Sequence, residues 1–103
     1  MKNFLKISTI VTVFLGFFLN SAYADPKKIG FIYIGPPGDH GWTYQHDQGR
    51  KHMMSQLGGE VESTYLENIP ENADAVRAIR KLASSGHDLI FTTSFNYMDQ
   101  TLE

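Results

Sequence analysis

The sequence predicts an α/β fold, a parallel sheet laid down in the order strand, helix, strand, helix, strand. Three observations predict it. Runs of β-branched, aromatic and aliphatic residues recur at Ile29 to Ile34, Val61 to Leu66 and Asp88 to Thr92. Two stretches with helical spacing lie between them, and glycines or prolines punctuate the links. Alternating strands and helices joined by such short links favour right-handed crossovers within one parallel sheet.

The amino-terminal residues stand apart from this pattern. Lys2 and Lys6 give a positive start, Ile7 to Leu19 is an apolar run interrupted only by Ser8, Thr9, Thr12 and Gly16, and Ala22-Tyr23-Ala24 is a small-x-small cleavage site. This is the pattern of a secretory signal peptide over residues 1–24, cut after Ala24. A transmembrane anchor is the alternative, but the run of 13 residues falls short of the ~20 that span a bilayer. Asp25 stands where a lipoprotein would need cysteine, so the mature product is expected to be soluble rather than lipid-anchored.

The mature chain, Asp25 to Glu103, holds seven Lys and Arg against eleven Asp and Glu, a net charge of −4. That balance argues against a nucleic-acid binder, which needs a clustered basic face. The sequence contains no cysteine, which excludes a disulfide scaffold and thiolate metal sites. A domain of this size buries only a modest core.

The first strand, Lys27 to Ile34, is nearly continuously apolar, which suits a strand covered by helices on both faces. A helix follows from about Trp42 to Leu57, with His46, Gly49, Met53 and Leu57 sharing one face and Gly58-Gly59 ending it. Gly49 inside that helix costs roughly 1 kcal/mol relative to alanine, which suggests close packing on the sheet. Arg50 and Lys51 read as solvated. Val61 to Leu66 is the second strand. Asn72 or Asp74 caps a second helix running to Ser85, whose inward stripe is Ala75, Val76, Ile79, Leu82 and Ala83. Gly86 ends it, the third strand follows, and another helix begins over Tyr97 to Leu102.

Between the first strand and the first helix lies Gly35-Pro36-Pro37-Gly38-Asp39-His40-Gly41-Trp42-Thr43. In α/β folds the carboxyl end of a strand and the amino end of the next helix share one rim, where free N–H groups and the helix dipole face a ligand crevice. Asp39 offers a carboxylate there, Trp42 a flat ring and Thr43 a hydroxyl, a set suited to a planar, hydrogen-bonding small molecule. The plainer reading is that the glycines and prolines only make a turn, Asp39 caps the helix and Trp42 belongs to the core. Pro37 occupies the second glycine position of a dinucleotide fingerprint, and no Gly-Lys-Ser or Gly-Lys-Thr follows as a Walker loop requires. With spatial strand order 2-1-3, the ends of strands one and three lie side by side, bringing Asp39 and Trp42 beside Thr93, Ser94 and Phe95.

Three segments, Lys28-Ile29-Gly30-Phe31-Ile32-Tyr33-Ile34-Gly35-Pro36, Gly38-Asp39-His40-Gly41-Trp42-Thr43-Tyr44 and His46-Asp47-Gln48-Gly49-Arg50, resemble the amino-terminal lobe of the basic membrane protein (BMP, purine nucleoside receptor-like) family of ABC-transporter substrate-binding proteins. So do Glu67-Asn68-Ile69-Pro70-Glu71, Ala73-Asp74-Ala75 and Asp88-Leu89-Ile90-Phe91-Thr92-Thr93-Ser94-Phe95. The resemblance implies a type I periplasmic binding protein, of which residues 25–103 form part of the first lobe. It implies capture of a purine base or nucleoside in the periplasm and delivery to an ABC permease in the inner membrane, with no cofactor. By the family's pattern Trp42 stacks on the base, Thr43 bonds to the ligand with Asp39 just before it, and Ser94 and Phe95 contribute from the loop after the third strand. Nucleoside receptors of the family carry Phe-Asn where this chain has Trp42-Thr43, so a free base or another flat heterocycle fits as well as a nucleoside.

Two other readings stand beside import. Family members are several times longer, which leaves a truncated product without a function of its own as one alternative. The other is a small periplasmic nucleoside-processing enzyme using Asp39 with His40 or His46 with Asp47. Against it, His40, His46, His52 and His87 lack metal-ligand spacing, and sequence-adjacent Asp and His diverge on a helix.

Overall fold

The structure, a computed structural model, describes residues 24–103. The signal peptide expected over residues 1–24 lies, but for Ala24, outside the described residues. Strand β1 (Lys27–Ile32) leads through a 3-10 turn (Pro37–Asp39) into helix α1 (Trp42–Leu57), then β2 (Val61–Leu66), α2 (Ala73–Ser84), β3 (Leu89–Thr92), a second 3-10 turn (Phe95–Tyr97) and the short α3 (Met98–Leu102). The sheet order is β2-β1-β3, with both pairings parallel, as the alternation of elements predicts.

Strand β1 is central, and its side chains alternate between two cores. Ile29, Phe31 and Tyr33 pack with Val61, Met53 and Met54 on the α1 side. Ile32 packs with Ala75, Ala78, Leu82 and Tyr97 on the other side, with Ile34, Leu66 and Ile90 around them. Gly30 lies on that second face. A Cβ there would come 2.8 Å from Leu82 Cδ1 and 3.2 Å from the His87 ring, so glycine is what lets α2 approach the strand closely.

Asn72 is the α2 cap, its Oδ1 accepting the Asp74 N–H at 2.8 Å. The buried stripe is Ala75, Val76, Ala78 and Leu82; Ile79 is half-buried and Ala83 is exposed, a small rotation from the expected stripe. Gly86 closes the helix with φ +83°.

Helix α1 departs further from the sequence reading. Gly49 and Leu57 are exposed and His46 is only half-buried, whereas Thr43 and Asp47 are buried. The helix turns a polar face to the sheet because those polar groups find partners there. Tyr33 donates its hydroxyl to Asp47 Oδ1 at 3.0 Å, and Gly35 N–H donates to Thr43 Oγ1 at 3.1 Å. Arg50, expected to be solvated, donates to Asp47 Oδ1 at 2.7 Å and to Ser63 Oγ at 3.0 Å.

Candidate functional site

The carboxyl ends of β1 and β3 and the amino end of α1 meet at one rim. Asp39 has its Oδ1 on two backbone donors, Gly41 N–H at 2.8 Å and Tyr44 N–H at 3.0 Å. It therefore caps α1, and the Gly41 N–H in particular holds its carboxyl below the usual range. Its other oxygen, Oδ2, takes part in neither bond. His40 takes the left-handed conformation with φ +52°, which turns the chain sharply into the helix, and its ring tilts against Tyr44 at 5.0 Å.

Trp42 opens the helix with 61% of its surface exposed. Its indole N–H donates to the Thr93 carbonyl at 2.6 Å, and its ring meets His46 edge-on at 5.0 Å. The side chain is thus not a core residue: it is an exposed flat surface fixed at its polar corner. Thr43 has no exposed surface, and its hydroxyl secures the Gly35 turn from behind. A Cβ at Gly35 would lie 3.3 Å from that hydroxyl.

Across the rim, Thr93 donates Oγ1–H to the Ile32 carbonyl at 2.7 Å, which fixes the carbonyl that receives Trp42. Ser94 donates to Glu71 Oε2 at 2.8 Å, tying this loop to the one after β2. Phe95 is 79% exposed. Two residues on, Tyr97 is fully buried and donates to the Ile69 carbonyl at 2.6 Å. Burial, with the Glu71 charge adding to it, pushes the Tyr97 hydroxyl up to about 12. Three loops are in this way cross-bonded into a preformed rim.

Sequence reasoning places Trp42 beside Thr93, and the structure joins them directly. It missed Glu71, which lies 23 residues from Ser94 in the chain; no local spacing signals that pair. It also missed the buried Tyr33–Asp47–Arg50 network. There burial pushes the Asp47 carboxyl up, but bonds from Arg50 and Tyr33 outweigh it and hold the group below the usual carboxylate range. Burial, with Asp47 adding, raises the Tyr33 hydroxyl far above an ordinary tyrosine.

The rim therefore presents two flat rings, a partly engaged carboxylate and a hydroxyl, which can stack on and hydrogen-bond a small planar molecule. His46 and Asp47 point apart, one to Trp42 and the other into the sheet. Among the described residues no three His, Asp or Glu side chains gather as metal ligands.

The family described as ABC transporter substrate-binding protein, PnrA-like, matches residues 26–103, which span all of these elements. The chain belongs to this family. This PnrA-like chain is 56% identical over 96 residues to a purine-binding protein of Brucella abortus, covering 91% of the chain and 27% of that relative. It is 35% identical over 69 residues, 67% of the chain, to a Haloferax volcanii protein that bears the name of an ABC transporter glucose-binding protein, of which it covers 17%. The PnrA-like chain thus spans about a quarter or less of these relatives' length. The family is one of substrate-binding proteins, and the α/β sheet with its rim is consistent with part of a periplasmic binding protein lobe.

Proposed function

We propose that the β1–α1 rim forms one side of the crevice in which an ABC importer's substrate-binding component takes a purine base, a nucleoside or a similar planar heterocycle. The observation that carries this reading is the Trp42 indole, exposed on its ring and held at its N–H by Thr93. Trp42 and Phe95 are the stacking surfaces, Asp39 Oδ2 and the Ser94 hydroxyl meet the ligand's polar edge, and Thr43 acts from behind by holding the Gly35 turn. The name of the Brucella abortus relative, at the higher identity, supports a purine over a sugar. The chain binds its ligand without turning it over, acts in the periplasm after removal of residues 1–24, and hands the ligand to an inner-membrane ABC permease.

Trp42 is the only tryptophan of the chain, so its fluorescence reports on the rim. Adenine, guanine, adenosine or guanosine is expected to quench it, with glucose giving no response and the ligand recovered unchanged. One side of a crevice supplies only part of the contacts of a closed site, so the affinity is expected on the order of millimolar. In calorimetry on the protein extended to its relatives' length, Trp42→Ala should weaken binding by about 1–3 kcal/mol, the usual worth of base–aromatic stacking. If no purine or nucleoside binds that protein, the proposed ligand class is wrong; a response to glucose alone would transfer the site to a sugar.

A further inference from the structure

Behind the rim, α1 is joined to the sheet by directional bonds rather than by a broad apolar stripe. Thr43 and Asp47 stand one turn apart on the same face of the helix, about 6 Å along its axis. Each is bonded to the segment just after β1, Thr43 to Gly35 N–H and Asp47 to the Tyr33 hydroxyl. Arg50 continues the line. Its Nε donates to Asp47 and its Nη1 to Ser63 on β2, and its guanidinium lies 4.8 Å over the Tyr65 ring. Tyr65 in turn stacks on Tyr33 with ring centres 5.5 Å apart.

The apolar support for α1 is Met53 and Met54, both half-buried. Methionine side chains adapt to small displacements and specify position poorly, whereas a satisfied buried polar network admits one arrangement. Trp42 is the residue next to Thr43 in the first turn, and its indole reaches the Thr93 carbonyl at a short 2.6 Å. A shift of α1 along or around its axis moves the indole off that carbonyl.

We propose that Tyr33, Asp47 and Arg50 are positioning residues for the Trp42 platform: they set the placement of α1 on which the Trp42–Thr93 bond depends. The consequence for ligand capture rests on the reading of Trp42 as the stacking surface; the positioning itself does not. The bonds of the three run to one another and to Ser63, none of them to the indole, so their effect on a ligand is transmitted through α1.

The single indole N–H makes this measurable in the full 103-residue chain labelled with nitrogen-15. The unmodified protein should show an indole N–H shifted from the free value and slow to exchange with solvent. Tyr33→Phe and Asp47→Asn should stay folded yet move that resonance toward free indole and speed its exchange by about tenfold or more. If Tyr33→Phe does not fold, Arg50→Lys, which keeps a charge beside Asp47 and loses the fork to Ser63, gives the same readout. Ala83→Gly, on the exposed side of α2, serves as the control: it lowers the melting temperature and leaves the indole where it was. An indole unchanged in the folded network variants, one that moves equally in Ala83→Gly, or one already unprotected in the unmodified chain would overturn the proposal. If the indole responds as expected but no purine binds, the ligand class fails and the positioning role stands.

Discussion

Asp47 is the buried charge to which Tyr33 and Arg50 are both bonded. Beside His46 it suggests an acid–base pair, but its side chain is 4% exposed and paired with Arg50 and, more loosely, with Lys51 at 3.5 Å. Its folded pKa is depressed, so it contributes stability in full above the unfolded value of about 3.9, and that contribution is lost as pH falls through the folded pKa. Tyr97 acts at the other end of the scale. With its folded pKa raised to about 12 from an unfolded value of about 10, its contribution is complete below pH about 10 and is lost as pH rises through the folded value. Urea midpoints measured across pH should form a plateau that drops below about 4 and again above about 10. Asp47→Asn should lower the plateau by about 1–3 kcal/mol, the cost of weakening buried bonds to a charged group, and flatten the acid limb. An acid limb of unchanged depth in that variant would show that other carboxylates govern it.

At the scale of elements, α2 was legible and α1 only in its limits. The inward side of α2 is apolar at helical spacing, its cap is an asparagine and its stop a glycine, so local chemistry and tertiary packing agree. The inward side of α1 holds Thr43, Asp47 and Arg50, and a rule that turns apolar residues inward necessarily points to the wrong face. Of the residues that satisfy that rule, Met53 packs on the core and His46 is half-buried, whereas Gly49 and Leu57 are exposed. Their spacing carries no record of a tyrosine just past the end of β1 able to satisfy a buried aspartate. At the rim, Trp42 beside Thr93 follows from the strand order and Asp39 as a cap from its place before the helix, whereas Ser94 bonded to Glu71 depends on loop geometry that spacing does not encode. The same correction changes the expectation for Gly49. It is exposed, and a Cβ there meets nothing within 4 Å, so close packing does not require glycine. Gly49→Ala should raise stability by about 0.5–1 kcal/mol through helix propensity and a less flexible unfolded chain. Chemical denaturation checks this, and a loss of stability would restore the close-packing view.

Taken as one molecule, the chain has a sheet clothed unevenly. The crossover from β1 to β2 places α1 on one face, and the crossover from β2 to β3 returns over the other face, where α2 and α3 lie with Ile32, Ala78, Leu82 and Tyr97 beneath them. On the α1 side, among the described residues, β1 is covered, β2 is covered except at Tyr65, which is 40% exposed, and β3 is left open, with Leu89 48% and Phe91 43% exposed. Phe91 still leans on Phe31, their rings stacked 5.0 Å apart, so the open area is continuous with the core. The rim depends on what lies beneath this strand, because β3 delivers the Thr93 carbonyl that fixes Trp42. Neighbouring positions on β3 should therefore respond in opposite ways. Leu89→Thr introduces a β-branched residue that favours a strand and removes mainly open surface, so it should reduce binding of a hydrophobic dye while shifting stability by no more than about 0.5 kcal/mol. Ile90→Thr, one residue on and facing α2, places a hydroxyl in the opposite core and should cost about 1–3 kcal/mol with dye binding unchanged in the folded state. Dye fluorescence and denaturation midpoints on the two variants test the pair together. Equal losses of stability would mean that the α1 side of β3 is as well packed as the α2 side, contrary to the exposure of Leu89 and Phe91.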